Sequence, residues 1–96
     1  MQLSAIGLEL VRTEMTRDGI FQIIVQHTCE VIPELELHSF FETDRLAELG
    51  ANSLDRADIV MMTLESLSLE ISLVELAKAK NLGQLTDIIY EKHQST

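Results

Sequence analysis

Apolar residues recur along this chain at helical rather than strand spacing. Ile20, Phe21, Ile24, Thr28, Val31 and Ile32 share one arc of a helix, while Gln22, Gln26 and Glu30 lie away from it. Thr16 stands in front of this run as an N-cap and Pro33 closes it, because the residue before a proline is pushed out of the α region. The pattern predicts a first long helix that begins after Thr16 and runs to about Ile32. A second is predicted from Ser53 to about Leu67, with Asn52 as N-cap and Asp55 returning a capping-box bond. Its Ala57, Val60, Leu64 and Leu67 are expected to face the core, and Leu54, Asp58, Met61 and Glu65 form a separate stripe at spacings of 4, 3 and 4.

Ser72-Leu73-Val74-Glu75 fits a capping box and predicts a short helix to about Lys80, with Lys78 and Lys80 in its last turn. Asn81 caps a final helix from about Leu82 to Lys92, with Leu82, Leu85, Ile88 and Ile89 inward. Residues 33–52 form a long connection. Phe40 and Phe41 are expected to pin it to the core, and Asp44 to Leu49 to make a turn closed by Gly50. Leu3, Ile6 and Leu10 have helical spacing interrupted by Gly7, so residues 1–15 read as an extension, 16–93 as the domain and 94–96 as a tail. The fold class is all-α, a small four-helix bundle of three main helices and one short one.

Composition narrows the function. The chain has 96 residues, 4 Gly and 1 Pro, so it is one domain with few strand-and-turn signals. Sixteen Asp and Glu against seven Lys and Arg give a net charge of −9. That charge opposes nucleic acid and anionic membranes and favours basic partner surfaces. No apolar run approaches a membrane span, and the start has no basic leader, which suggests a cytoplasmic protein. Cys29 stands alone, so neither a disulfide framework nor a zinc cluster is expected. It should be a half-exposed free thiol. His27 reads as a boundary histidine, and His38 and His93 as solvated. Of the adjacent Met61 and Met62, Met61 should face outward beside the acidic stripe.

The run Leu49-Gly50-Ala51-Asn52-Ser53-Leu54-Asp55 carries the one candidate chemistry. A helix N-terminus has unpaired N–H groups and a partial positive charge, so a phosphodiester on the Ser53 oxygen would lie at the favourable end of the dipole. A serine there is more often only a cap. This run, however, resembles the phosphopantetheine attachment motif of acyl carrier proteins, and the likeness extends from about Met15 to Tyr90. The resemblance implies 4'-phosphopantetheine, covalently attached at Ser53 by a phosphopantetheinyl transferase using coenzyme A, with Asn52 as the helix cap. It implies a partner surface of Leu54, Asp55, Arg56, Asp58, Met61 and Glu65. Asn52 departs from the usual Asp and removes a charge beside the phosphate, and Arg56 adds a cation to a surface commonly neutral or acidic.

The segments 50–65 and 73–85 are similar to freestanding carriers of bacterial polyketide pathways that work with a hydroxymethylglutaryl-type synthase. That likeness implies a monomeric carrier, not an enzyme. It would be loaded with malonyl by an acyltransferase and decarboxylated to acetyl by a ketosynthase-like enzyme, and would donate acetyl to the synthase for β-branching. Alternatives are a fatty-acid or peptidyl carrier, or an unmodified acidic helical adaptor. A hydrolase using Ser53 lacks a base placed by sequence.

Overall fold

In the computed structural model, which describes residues 15–95, four helices follow one another: α1 Arg17–Val31, α2 Ser53–Leu67, α3 Leu73–Leu76 and α4 Leu82–Gln94. A 3₁₀ turn, Pro33–Leu35, directly follows α1. No strand occurs among the described residues, as the helical spacing predicts. The expected helical residues Leu3, Ile6 and Leu10 lie outside the described residues.

Each helix starts where a side chain meets its free amides. The side chains of Thr16, Asn52, Ser72 and Asn81 accept from the N–H groups of Gly19, Asp55, Glu75 and Gln84. α1 packs on both α2 and α4. The core is Ile20, Phe21 and Ile24 from α1, Ile59 and Leu64 from α2, Leu76 from α3, and Leu82, Leu85 and Ile89 from α4. Three fully buried threonines complete it. Thr28, Thr63 and Thr86 each donate to the carbonyl one turn back, at 2.7, 2.8 and 2.7 Å, so no hydroxyl is buried without a partner.

The inward face of α2 is rotated from the expected row. Ile59, Thr63 and Leu64 are buried, while Ala57, Val60 and Leu67 are only half-buried. α1 covers the Ile59 side, and the short α3 leaves the Val60 flank partly open. α3 ends at Leu76, four residues before the expected Lys80, so Lys78 and Lys80 lie beyond it. The chain is pulled away there because Lys80 N–H donates to Gln84 Oε1 at 2.8 Å and Leu82 N–H to Asp44 O at 2.9 Å. α4 runs to Gln94, two residues past the expected Lys92.

The long connection is held at defined points. Arg17 forks onto both carboxylate oxygens of Glu42 (2.6 and 3.0 Å) and reaches Asp87 Oδ1 at 2.6 Å and Gly83 O at 3.1 Å. This joins α1, the connection and α4. Gly83 allows the approach, since a Cβ there would stand 2.9 Å from Glu42 Oε1. Phe40 packs against the core and meets the His38 ring edge-on, with centroids 4.7 Å apart. Phe41 does not pin the loop. Its side chain is 65% exposed, and its N–H donates to Asp44 Oδ2 at 2.8 Å instead.

Candidate functional site

The loop before α2 is bolted to the helix it introduces. Ala51 is buried, and its N–H donates to Leu46 O at 3.0 Å. Its carbonyl accepts from Arg56 Nη1 at 2.8 Å. Gly50 turns the chain with φ +104°, a value side chains disfavour, so glycine is required for the reversal itself.

Asn52 and Asp55 form the predicted reciprocal cap. Asp55 N–H donates to Asn52 Oδ1 at 2.8 Å, and Asn52 N–H donates to Asp55 Oδ2 at 3.2 Å. The first helical bond runs from Arg56 N–H to Asn52 O at 2.9 Å. Capping is therefore done by neighbours of Ser53, not by Ser53. Its exposed side chain makes no hydrogen bond among the described residues. The N–H groups of Ser53 and Leu54 have no intrahelical acceptor, as at any helix start. An exposed, unengaged hydroxyl beside open amide donors and the positive end of a fifteen-residue helix fits a phosphodiester substituent.

The stripe predicted along α2 is formed as read. Leu54 is 76% exposed, Met61 is 53% exposed, and Asp58 and Glu65 are exposed beside them. Two other proposed partner residues sit differently. The Asp55 carboxylate accepts in the cap, and the half-buried Arg56 guanidinium turns back to Ala51. The sequence reading missed Leu73 and Val74, which α3 exposes (53% and 75%). Their signal was two large apolar residues directly after the Ser72 cap. Leu73 joins Met61, Leu64, Leu69 and Ile71 around an apolar cleft of about 410 Å³ rimmed by Glu65 and Glu70.

The histidines are less solvent-facing than expected. His27 is buried, with Nδ1 2.8 Å from Glu30 Oε1 and Nε2 2.7 Å from Ser66 Oγ. The His27 bond holds the Glu30 carboxyl below the usual carboxylate range. His38 is half-buried with Nε2 3.1 Å from Asp44 Oδ2, and His93 is half-buried rather than solvated. Cys29 is a half-buried free thiol, as expected; its Sγ lies 3.6 Å from Leu35 O, and burial pushes its pKa up. Among the described residues no cluster of His, Cys, Asp or Glu has metal-holding geometry, and no helix is long and apolar enough to cross a membrane.

Comparison with known proteins places this geometry. The family model for the phosphopantetheine attachment site matches residues 22–89. The chain is 48% identical over 81 residues to the polyketide biosynthesis acyl-carrier-protein AcpK of Bacillus subtilis (strain 168), covering 84% of this chain and 99% of that protein. It also superposes, with a TM-score of 0.77 and 45% identity, on a chain of the crystal structure of the curacin biosynthetic pathway HMG synthase in complex with acetyl donor-ACP. That match covers 81% of this chain and all of the other.

Proposed function

The chain belongs to the phosphopantetheine-attachment family of acyl carrier proteins, and from that premise we propose that Ser53 bears the arm and that the carrier donates acetyl groups to a hydroxymethylglutaryl-type synthase for β-branching in polyketide synthesis. When bound, 4'-phosphopantetheine supplies a terminal thiol that holds acyl groups as thioesters. The protein's own residues perform three tasks. Asn52 and Asp55 close the helix start, which leaves the Ser53 hydroxyl accessible to a phosphopantetheinyl transferase. The amides of Ser53 and Leu54, which have no intrahelical acceptor at the helix start, would be donors to a phosphodiester on Ser53. Leu54, Asp58, Met61 and Glu65 present an apolar and acidic docking face to basic enzymes used in turn.

One observation carries the reading: the serine at the helix start is not the cap. A serine kept only for helix stability would accept from an amide two or three residues on, and Asn52 already does so. The donor role is supported by the relative named as a polyketide carrier and by the superposition on a chain from the synthase–acetyl donor complex. The malonyl-loading acyltransferase and the decarboxylating ketosynthase-like enzyme belong to this proposal, as does a cytoplasmic monomer whose carrier unit starts at residue 16.

The attachment is tested by incubating the protein with coenzyme A and a broad-specificity transferase and weighing it intact. One arm is expected on the wild type and none on Ser53→Ala. Equal addition to both, or to neither, overturns the assignment. The donor role is tested by offering the acetyl-loaded protein to the synthase beside an acetoacetyl-loaded carrier. Equal discharge of a generic fatty-acid carrier removes its support.

A further inference from the structure

Behind α2, on the flank left partly open by the short α3, lies a groove of about 430 Å³. Val60, Leu76 and Leu82 contribute apolar walls, and Arg45, Arg56 and Lys80 contribute three cations. The composition makes this unusual. Only six Lys and Arg fall among the described residues, and half of them line this one groove. No Asp or Glu lines it, although acids outnumber bases by more than two to one in the chain. The cleft beside Met61 is rimmed by Glu65 and Glu70, and the third cavity by Glu70, Glu75 and Glu91. None of the three cations makes an ion pair among the described residues. Arg56 uses Nη1 on Ala51 O and has further N–H donors to offer.

An apolar trough with unpaired cations, in an otherwise acidic molecule, fits a short carbon chain that ends in an anion. Its location restricts which one. Arg56 follows Ser53 by three residues, one turn on the same helix. A thioester on an arm at Ser53 can therefore fold back into the groove. An acidic protein partner would first have to approach the repelling stripe of Asp58 and Glu65.

We infer that this groove grips the free carboxylate of a dicarboxylic acyl group carried on the protein's own arm, and leaves an uncharged acyl group outside. This rests on Ser53 being the attachment residue. A carrier built this way shelters a malonyl-type cargo and presents an acetyl cargo, so occupancy of the groove reports which form is ready for the synthase.

The test compares three forms of the full chain, made by loading it from coenzyme A, acetyl-coenzyme A and malonyl-coenzyme A. Intact mass on wild type and Ser53→Ala comes first, and failure there overturns the Ser53 reading itself. Backbone amide spectra then separate the sources of negative charge. The arm's phosphate is present in all three forms, whereas the carboxylate is present in one. Expected are shifts at residues 45–47 and 76–82 in the malonyl form beyond those of the other two, fading as salt rises. Arg45→Gln and Lys80→Gln, both at exposed positions, should return the malonyl spectrum toward the acetyl one. Malonyl and acetyl forms that superimpose at these amides overturn the inference, as do shifts already complete in the thiol form.

Discussion

His27 Nε2 lies 2.7 Å from Ser66 Oγ and joins α1 to α2. Glu30, a carboxylate, can only accept, so Nδ1–H donates to it, and Nε2 shares the second bond with the serine hydroxyl, which can both donate and accept. His27 is buried and Ser66 is exposed, so the two ends of the bond differ in what their removal leaves behind. Ser66→Ala strands a buried ring nitrogen and should cost about 1–2 kcal/mol. His27→Ala adds a cavity and should cost about 2–3 kcal/mol. Urea denaturation measures both, and a double-mutant cycle should show that the two losses are not additive.

Gly50 is the only described glycine with positive φ, at +104°. No neighbouring atom lies within 4 Å of a Cβ built there, so Gly50→Ala isolates the backbone term. The expected loss is about 1–2 kcal/mol. The loop leads directly to Ser53, so arm addition by the transferase should slow as well, read by mass against time.

Asn52→Asp keeps an N-cap oxygen and should change stability by less than about 0.5 kcal/mol, whereas Asn52→Ala should cost about 1 kcal/mol. Ser53→Ala removes no hydrogen bond, so its melting temperature should stay near that of the wild type. A Ser53→Ala protein that melts well below the wild type would mean that the hydroxyl has a structural duty.

Three carboxyls link stability to acidity. Hydrogen bonds from Arg17 hold Glu42 below the usual glutamate value of 4.5, and the bond from His27 does the same for Glu30. The Phe41 N–H lowers Asp44 from 3.8. A depressed native pKa contributes stability that is fully present above the unfolded value and is lost as pH falls through the native one. Melting temperature should therefore hold near neutrality and fall below about pH 4.5. Arg17→Gln should lower it at neutral pH and reduce its further fall on acidification, because Glu42 then returns toward its ordinary value. An acid response identical to that of the wild type would mean that Arg17 does not set Glu42.

Helix existence and capping were legible because each depends on a few adjacent residues. Pro33 ends α1 by local sterics, and Asn52 with Asp55 closes α2 within one turn. What escaped depends on distant partners. Ala77 to Lys80 have good helix propensity, yet the chain leaves the helix to reach Gln84 and Asp44. Phe40 and Phe41 are chemically identical, and only the path of the loop decides which is inward. His27 at the edge of the arc looked like a boundary residue because Ser66, its partner, is 39 positions away. At the candidate site, the Asn52–Asp55 cap at the helix start was readable, whereas the turning inward of Arg56 was not, since it depends on where the Ala51 carbonyl points.

The α2 stripe gives the last prediction. Asp58 and Glu65 are exposed and flank Met61, itself more than half exposed. Exposed ion pairs are worth about 0.2–1 kcal/mol each, so no single acid should dominate docking. Reversing both, Asp58→Lys with Glu65→Lys, adds repulsion to lost attraction and should weaken binding to the synthase by about 1.4 kcal/mol or more, a tenfold rise in Kd. Association should slow more than dissociation speeds up, and the gap from wild type should narrow as salt rises. Met61→Ala should act oppositely: it removes apolar area, so dissociation should quicken with little salt dependence. Titration calorimetry and stopped-flow mixing at two ionic strengths separate the patterns. A Met61→Ala defect that vanished in high salt would show that this face works by charge alone.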